Sequence, residues 1–285
     1  MTLQTFHINA TDGYQLSATR RVTEKERKGV IQMHCGTGIP QGVYHNLAAY
    51  LTEEGYYTIT FDYRGIGASA PETLKGFEAN MRDWGQKDMT GVFDWVQSEY
   101  PNDKKIVIGH SMGGQLIGMM ANNTSIDQIV LIASSTGYWW DMSFPYKLMM
   151  PPLWFLFIPL TTSTFGYANA KKLRQGENLP KGVALEWRKW CINPNYFGDE
   201  FGRTIEPDHF AQVEAPIKAI RIADDPIANA VTANKILDYY PKSEVAVEVI
   251  KPSDLNVPKI GHTGFFSRKF KETLWKRLAG DLTRN

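Results

Sequence analysis

The stretch that decides the fold is KIVIGHSMGGQLIGMM, residues Lys105–Met120. It opens on a short apolar run that is typical of a strand buried on both faces, and it continues into a segment with helical spacing. Between the two, Gly109 and Gly113 flank Ser111 in a G-x-S-x-G pattern. Glycines there remove the Cβ atoms that would keep strand and helix apart, and the tight turn lifts the serine hydroxyl off the sheet edge. We therefore predict a strand–turn–helix unit, a nucleophile elbow, that presents Ser111 as a candidate nucleophile.

Further apolar, β-rich runs lie on both sides of this unit. They are Gly29–Met33, Tyr57–Phe61, Gln128–Ile132, Ile217–Ile222 and Val245–Ile250. The segments between the earlier runs have helical spacing, at Tyr44–Glu54, Trp84–Tyr100 and Gly113–Asn122. This alternation favours a mostly parallel sheet covered by helices, so the predicted fold class is α/β. An Asp12-Gly13 turn in an alternating N-terminal segment predicts an antiparallel hairpin, and Ser267–Leu282 has the pattern of an amphipathic helix.

The alternation stops between residues 135 and 207, where no strand run is present. A structureless loop of that length would be unusual in a compact domain, so we predict an inserted helical cap there. The predicted division is a core at 1–134, the cap at 135–207 and the rest of the core at 208–285. The apolar stretch Leu148–Leu160 contains three prolines and is shorter than the roughly 20 residues that span a bilayer. We interpret it as buried or cleft-lining, with an interfacial lid as the alternative.

The predicted cap is rich in aromatic residues, since five of the eight tryptophans lie in it. Pockets form preferentially at domain junctions, so some of these side chains are expected to face a ligand. The simpler interpretation is that each of them belongs to the core of the cap. The candidate substrate-binding residues are Trp139, Trp140, Trp154 and Trp187.

A nucleophilic serine needs a base and an acid that orients the base. Of the six histidines, His262 alone follows the last predicted strand, in the loop KIGHTGFF, and the order Ser, acid, His is characteristic of this kind of turn. The pair Asp224-Asp225 follows the strand run Ile217–Ile222 and precedes a proline. Two adjacent side chains cannot both point at one histidine. We predict Asp225 as the triad acid and Asp224 as a turn or capping residue.

A tetrahedral oxyanion needs two backbone donors. One is expected to be the N–H of Met112, directly after the nucleophile. The other is expected from the loop after the first parallel strand, with Gly36 or Thr37 as the donor. Cys35 in the same loop has no base placed for it, and we interpret it as a small packed thiol.

Composition excludes several function classes. Thirty-one Lys and Arg against thirty Asp and Glu leave a net charge of +1, so there is no long-range field that would gather nucleic acid or anionic lipid. Cys35 and Cys191 form neither a disulfide framework nor a CxxC metal pair, and no metal site is predicted. The N-terminal residues lack a basic start followed by an apolar run. We therefore expect a cytoplasmic protein with no membrane span and a small-molecule partner, and the oligomeric state stays open.

Several motifs together resemble the α/β-hydrolase superfamily. Residues 33–38 (MHCGTG) look like its oxyanion loop, residues 61–69 (FDYRGIGAS) look like its D-x-R-G-x-G-x-S turn, and Trp84 with Asp88 resembles the helix before the elbow strand. The family commonly has His-Gly-x in the oxyanion loop, whereas here Cys35 separates His34 from Gly36. The resemblance implies an eight-stranded, mostly parallel sheet, a cap after the sixth strand and hydrolysis without a cofactor. The sequence is similar to a bacterial subgroup of predicted hydrolases without a defined substrate.

These observations predict a serine hydrolase that cleaves a carboxylic ester of a small, largely apolar substrate through Ser111, His262 and Asp225 and an acyl-enzyme. The same triad would serve thioester or amide cleavage, C–C bond hydrolysis or acyl transfer, and the sequence does not separate these reactions. An interfacial lipase is a further alternative. The alternative outside enzymes is a catalytically silent binder of a hydrophobic ligand.

Overall fold

The computed structural model describes residues 1–173 and 176–283. Its strands are β1 Thr2–Asn9, β2 Gln15–Val22, β3 Gly29–His34, β4 Tyr56–Phe61, β5 Lys105–His110, β6 Gln128–Ile132, β7 Tyr167–Ala168, β8 Leu179–Pro180, β9 Ile217–Ile222 and β10 Val245–Ile250. Eight of them form one sheet in the order β1-β2-β4-β3-β5-β6-β9-β10. β2 runs antiparallel to β1 and β4, and the other neighbours are parallel. The predicted α/β class and its N-terminal hairpin are confirmed.

Helices form within the predicted helical segments and also in other connections between the strands. They are α1 His45–Glu53, α2 Met81–Asp83, α3 Thr90–Glu99, α4 Met112–Gln115, α5 Ile158–Thr164, α6 Lys181–Cys191, α7 Ala230–Leu237 and α8 Lys276–Leu282. A π-helical segment, Trp84–Met89, joins α2 to α3, and another, Lys271–Trp275, precedes α8. The C-terminal helix is therefore regular only in its last part.

The helix predicted over Gly113–Asn122 is shorter than expected. α4 ends at Gln115, and a single 3₁₀ turn follows at Ile117–Met119. Glycine is a poor helix former, and this segment carries three of them. A Cβ on Gly118 would lie 2.1 Å from the ring of Phe210, so close packing rather than helix propensity decides the local path.

The central strands of the sheet bring the candidate residues together at their carboxyl ends. All residues of β3, β5 and β6 are buried, and Val107 of β5 lies opposite Gln32 of β3 and Ile129 of β6. These three strands and β9 are parallel, so their carboxyl ends meet at the same edge. The loops that follow β3, β5 and β9 carry the predicted oxyanion donors, Ser111 and Asp225, and they are brought together there.

The segment 135–207 lies between β6 and β9 and contains α5 and α6. It also contains a small antiparallel sheet of β7 and β8, which the helical prediction omitted because strands of two residues carry no readable periodicity. An ion pair between Arg82 of α2 and Glu186 of α6 joins this segment to the core. Its treatment as a separate cap stays a prediction.

The apolar stretch Leu148–Leu160 is buried on one face only. Met150, Trp154 and Ile158, spaced four residues apart, are buried. The opposite face is exposed and comprises Leu148, Met149, Phe155, Leu156 and Leu160. The expectation of a buried or cleft-lining stretch therefore holds for one face, which also lines the cavity described below, and not for the exposed face. Within the described residues, no helix has the length and apolar character needed to cross a bilayer.

Candidate active site

The turn between β5 and α4 holds Ser111 in a strained conformation. Its φ of 50° and ψ of −120° lie in a region that non-glycine residues rarely occupy. The neighbouring glycines explain why the turn is possible. A Cβ on Gly109 would lie 2.5 Å from the Cα of Gly114, and a Cβ on Gly113 would lie 2.5 Å from the carbonyl oxygen of His34. Packing on both sides therefore requires glycine and keeps the serine at the tip of the turn.

Ser111, His262 and Asp225 form a continuous hydrogen-bonded chain. His262 Nε2 lies 2.9 Å from Ser111 Oγ, and His262 Nδ1 lies 2.6 Å from Asp225 Oδ2. The Nδ1–H donates to the carboxylate, which leaves the lone pair of Nε2 for the serine hydroxyl. Asp225 is only 2% exposed, and its Oδ1 accepts from the backbone N–H groups of Ile227 and Ala228 at 2.8 and 3.1 Å. The carboxylate is thus held in one orientation.

Asp224 makes different contacts from its neighbour. Its two carboxylate oxygens accept from the N–H groups of Ile260 and Gly261, both at 3.0 Å. Asp224 therefore binds the backbone just before His262 and does not contact the imidazole. The predicted choice between the two aspartates matches these contacts.

The two candidates for the second oxyanion donor differ in the structure. The N–H of Gly36 donates to the hydroxyl of Tyr44 at 2.8 Å, so it is not available to a ligand. Within the described residues, the N–H groups of Thr37 and Met112 have no acceptor. Thr37 and Met112 also line the same cavity as Ser111. Gly36 is therefore corrected to a supporting position, and Thr37 with Met112 supplies the free donors.

A second hydrogen-bonded chain runs from Tyr44 through His110 to the backbone of His262. The Tyr44 hydroxyl donates to His110 Nδ1 at 2.8 Å, and His110 Nε2–H donates to the carbonyl oxygen of His262 at 3.1 Å. Phe266 packs against both rings, with centroids 4.7 Å away. This chain connects the loop of Gly36 to the loop of His262. Sequence reasoning treated His110 as structural and did not single out Tyr44, since nothing in the local pattern links it to position 110.

His34 fixes the elbow in a similar way. Its Nδ1–H donates to the carbonyl oxygen of Gly113 at 3.1 Å, and its Nε2 accepts from the side-chain amide of Gln32 at 2.9 Å. Because the ring is fully buried, desolvation lowers the pKa of His34 to about 3. The imidazole is therefore neutral and serves as a structural link between β3 and the elbow.

We expect stability to fall in mild acid because of these buried histidines. Burial lowers the pKa of His34 to about 3 and the pKa of His110 well below 6.5. Below pH 6.5 the unfolded chain binds protons that the folded chain does not. The free energy of unfolding is then expected to drop by about 1.4 kcal/mol per pH unit for each such histidine. Urea unfolding at pH 7.5, 6 and 5 measures this slope. His34→Gln should make it shallower, and an unchanged slope in that variant would contradict the assignment.

A cavity of about 450 Å³ opens onto Ser111 and His262. Trp154 and Trp187 line it, as predicted, and their rings pack edge to face at 4.9 Å. Trp139 and Trp140 do not contribute to its lining within the described residues. They pack against each other at 5.1 Å on a one-turn helix, and Trp140 is 55% exposed. Their assignment to the substrate site is therefore corrected.

The two cysteines are free and buried. Desolvation raises the pKa of the Cys35 thiol, which donates to the carbonyl oxygen of Phe61 at 3.3 Å. The thiol is therefore protonated and packed, in contrast to a reactive cysteine. Cys191 contributes to the cavity wall. Across residues 1–173 and 176–283, no cluster of three His, Cys, Asp or Glu side chains could hold a metal ion.

Comparison with known families decides the classification. The family model Hydrolase_4, described as serine aminopeptidase S33, matches residues 25–176, which is more than half of the chain. The chain belongs to this family of α/β-hydrolases. The matched region contains residues 33–38, the turn that holds Ser111 and the first part of the segment 135–207. Asp225 and His262 lie beyond it.

Curated relatives are similar to this chain in part of their sequence, and solved structures are similar to it in fold. Lysophosphatidylserine lipase ABHD12 of Gallus gallus is 26% identical over 157 residues, which cover 51% of this chain and 39% of the relative. The Rattus norvegicus protein of the same name matches at 26% over 37% of its length, so the chain spans well under half of these relatives. A soluble variant of Saccharomyces cerevisiae monoglyceride lipase has a TM-score of 0.70 at 15% identity, covering 100% of this chain and 96% of that one. A Bacillus coagulans carboxyl esterase has a TM-score of 0.60 at 15% identity, covering 99% and 100%. At these identities the structures share the fold of the α/β-hydrolase.

Proposed function

We propose that this α/β-hydrolase cleaves carboxylic esters of small, largely apolar substrates. The observation that carries the proposal is the chain from Ser111 Oγ to His262 Nε2 at 2.9 Å and from His262 Nδ1 to Asp225 Oδ2 at 2.6 Å, at the wall of an apolar cavity. Two backbone donors without an acceptor among the described residues, Thr37 and Met112, lie in the same wall. These are the parts that acyl transfer through a serine requires.

In the proposed reaction, Ser111 Oγ attacks the ester carbonyl while His262 Nε2 takes the hydroxyl proton. The carbonyl oxygen becomes an oxyanion that accepts from the N–H groups of Thr37 and Met112. Collapse of the tetrahedral intermediate breaks the bond to the alcohol, which leaves with the proton from His262. Water then attacks the acyl-enzyme, again with His262 as the base, and releases the acid. Asp225 holds the imidazole and stabilises its charged form in both steps.

The lining of the cavity favours an apolar acyl or alcohol group. Methionine, leucine and aromatic side chains from the predicted cap form much of it, among them Met142, Met150, Leu153, Trp154 and Phe157. Burying each methylene of a substrate there is worth about 0.8 kcal/mol. The specificity of the reaction would therefore depend on chain length.

Ester cleavage is favoured over the aminopeptidase activity in the description of the family. An aminopeptidase has to bind the ammonium group of its substrate, and a free carboxylate is the natural partner. Glu177 is the single carboxylate among the described residues that line the cavity, and it pairs with Lys171 at 2.7 Å. The described part of the pocket thus offers no unpaired negative charge for an amino terminus.

We expect a p-nitrophenyl ester series from acetate to dodecanoate to show an optimum that Phe157 controls. Phe157 lines the cavity, so Phe157→Ala should shift the optimum to longer chains, with about a fourfold gain in relative kcat/KM per methylene accommodated. Phe155→Ala is the matched control, because Phe155 is 52% exposed and lies outside the lining. Equal shifts in both variants would contradict the assigned cavity, and no turnover of any ester would favour the silent binder.

A lipid interface is a second candidate setting for the same reaction. It is favoured by the exposed apolar face formed by Leu148, Met149, Phe155, Leu156 and Leu160, which lies on the segment that also lines the cavity. Monomeric proteins rarely expose large contiguous apolar patches without an interaction to cover them. The longest esters of the series test this candidate. A rate that rises when the ester passes from solution to emulsion would support it, and a flat rate would remove it.

A further inference from the structure

Gln115 places a polar group beside the nucleophile in an otherwise largely apolar wall. It is the last residue of α4, and its backbone N–H donates to the carbonyl oxygen of Ser111 at 3.3 Å. The two residues are therefore about one helical turn apart along the backbone. The residue is only 4% exposed, yet it contributes to the lining of the cavity that Ser111 and His262 share.

The side-chain amide of Gln115 has a defined orientation. The hydroxyl of Tyr196 donates to Gln115 Oε1 at 2.7 Å. Burial raises the pKa of the Tyr196 phenol, which therefore keeps its proton. The other side-chain partner of this hydroxyl is the Cys191 thiol, and sulfur is a weak acceptor, so the hydroxyl donates to Oε1 and Nε2 faces away from it.

The side-chain NH₂ group of Gln115 is a hydrogen-bond donor without a protein acceptor among the described residues. In residues 1–173 and 176–283, Gln115 Nε2 has no hydrogen-bond acceptor. It differs from the indole nitrogen of Trp154, which is also without a partner but is enclosed by protein atoms. Since Gln115 lines the cavity, the acceptor for Nε2 has to come from the contents of the cavity.

The surroundings of Tyr196 hold this arrangement in place. Tyr196 has a φ of 53°, and its ring packs against Phe197 at 4.8 Å and Trp190 at 5.9 Å. A Cβ at Gly137 would lie 2.8 Å from Cys191 Sγ and 3.1 Å from the Tyr196 hydroxyl, so only glycine leaves room there. A strained backbone supported by close packing is typical of a pre-organised functional position.

The geometry points to Gln115 as a specificity-determining residue, whose side-chain NH₂ donates to a neutral oxygen of the substrate close to the scissile carbonyl. This inference rests on the proposed ester hydrolysis. The oxygen is an ether, hydroxyl or carbonyl oxygen and belongs to either the acyl chain or the alcohol. A charged group is disfavoured, because the described lining contains Glu177 but no Lys or Arg.

Matched substrate pairs test the inference. On the acyl side, p-nitrophenyl hexanoate is compared with esters in which an ether oxygen replaces the methylene at position 3, 4 or 5. On the alcohol side, propyl hexanoate is compared with 1-monohexanoylglycerol. For each pair, kcat/KM of the oxygenated ester is divided by kcat/KM of the alkyl ester. This ratio in the variant is then divided by the ratio in the wild type, which removes the intrinsic reactivity of each ester.

In Gln115→Met we expect this ratio to fall about fivefold for the pair whose oxygen meets the amide, as the loss of one neutral hydrogen bond implies. Gln115→Glu is the second variant. It keeps an acceptor for Tyr196 but presents an oxygen instead of a donor, so its ratio should fall at least as far. Gln212→Met makes the same chemical change at an exposed position and should leave every ratio unchanged.

The outcomes separate the two proposals. A fall confined to the acyl pairs or to the glycerol pair supports the inference and identifies the source of the oxygen. Wild-type ratios for every pair in both Gln115 variants, with alkyl esters still hydrolysed, would overturn the role of Gln115 and leave ester hydrolysis standing. Failure of the wild type to hydrolyse any of the esters would overturn the proposed function itself.

Discussion

Ser111→Ala is expected to reduce kcat for p-nitrophenyl butyrate about a million-fold, the loss typical of removing the nucleophile from a serine triad. No other described side chain lies within hydrogen-bond distance of His262 Nε2, so no second nucleophile can take the place of Ser111. Alanine also removes the covalent intermediate, so the residual rate would come from binding and the oxyanion donors alone. Initial rates at saturating ester measure the effect.

The fold serves as the control for this variant. Ser111 holds a φ of 50°, which alanine adopts no more easily than serine, so thermal unfolding should move little. A fluorophosphonate probe should label the wild-type protein at Ser111 and leave Ser111→Ala unlabelled. Turnover that persists in a folded Ser111→Ala variant would refute the assigned nucleophile.

Asp225→Asn is expected to lower kcat about ten-thousandfold, because it should trap His262 in the wrong tautomer. The N–H groups of Ile227 and Ala228 both donate to Asp225 Oδ1. In asparagine the carbonyl oxygen must occupy that position, so the NH₂ group faces His262 Nδ1 and donates to it. The imidazole proton then lies on Nε2, which cannot accept the proton of Ser111.

Asp224→Asn is the matched comparison at the neighbouring position. Asp224 accepts from the N–H groups of Ile260 and Gly261, and asparagine can keep one of these two contacts. Since the loop of His262 loses a single hydrogen bond, kcat should fall by no more than about tenfold. The same p-nitrophenyl butyrate assay measures both variants. A larger loss in Asp224→Asn than in Asp225→Asn would reverse the assignment of the acid.

Local patterns in the sequence were sufficient for the sheet and the elbow. Strand β6 was predicted with the bounds that the structure has, because a parallel strand buried on both faces is a near-continuous apolar run. β9 was also predicted with its observed bounds, from three isoleucines that are buried, although Lys218 and Arg221 interrupt its apolar run. The helix after the elbow was overestimated, since its three glycines serve close packing: Gly113 lies against the backbone of His34, Gly114 against Ser134 and Gly118 against Phe210. The small sheet of β7 and β8 left no pattern at all.

The sequence by itself therefore determined the fold class, the nucleophile turn and the small group of residues from which a triad could be built. Only the tertiary structure showed that Asp225 contacts His262 while Asp224 contacts the backbone, that the N–H of Gly36 is bonded to Tyr44, and which tryptophans line the cavity. It also joined Gln115 to Tyr196, which lie 81 positions apart. Spacing along the chain specifies which face of a strand or helix a residue occupies. The partner that its side chain meets depends on how distant loops pack together, and no local pattern contains that information.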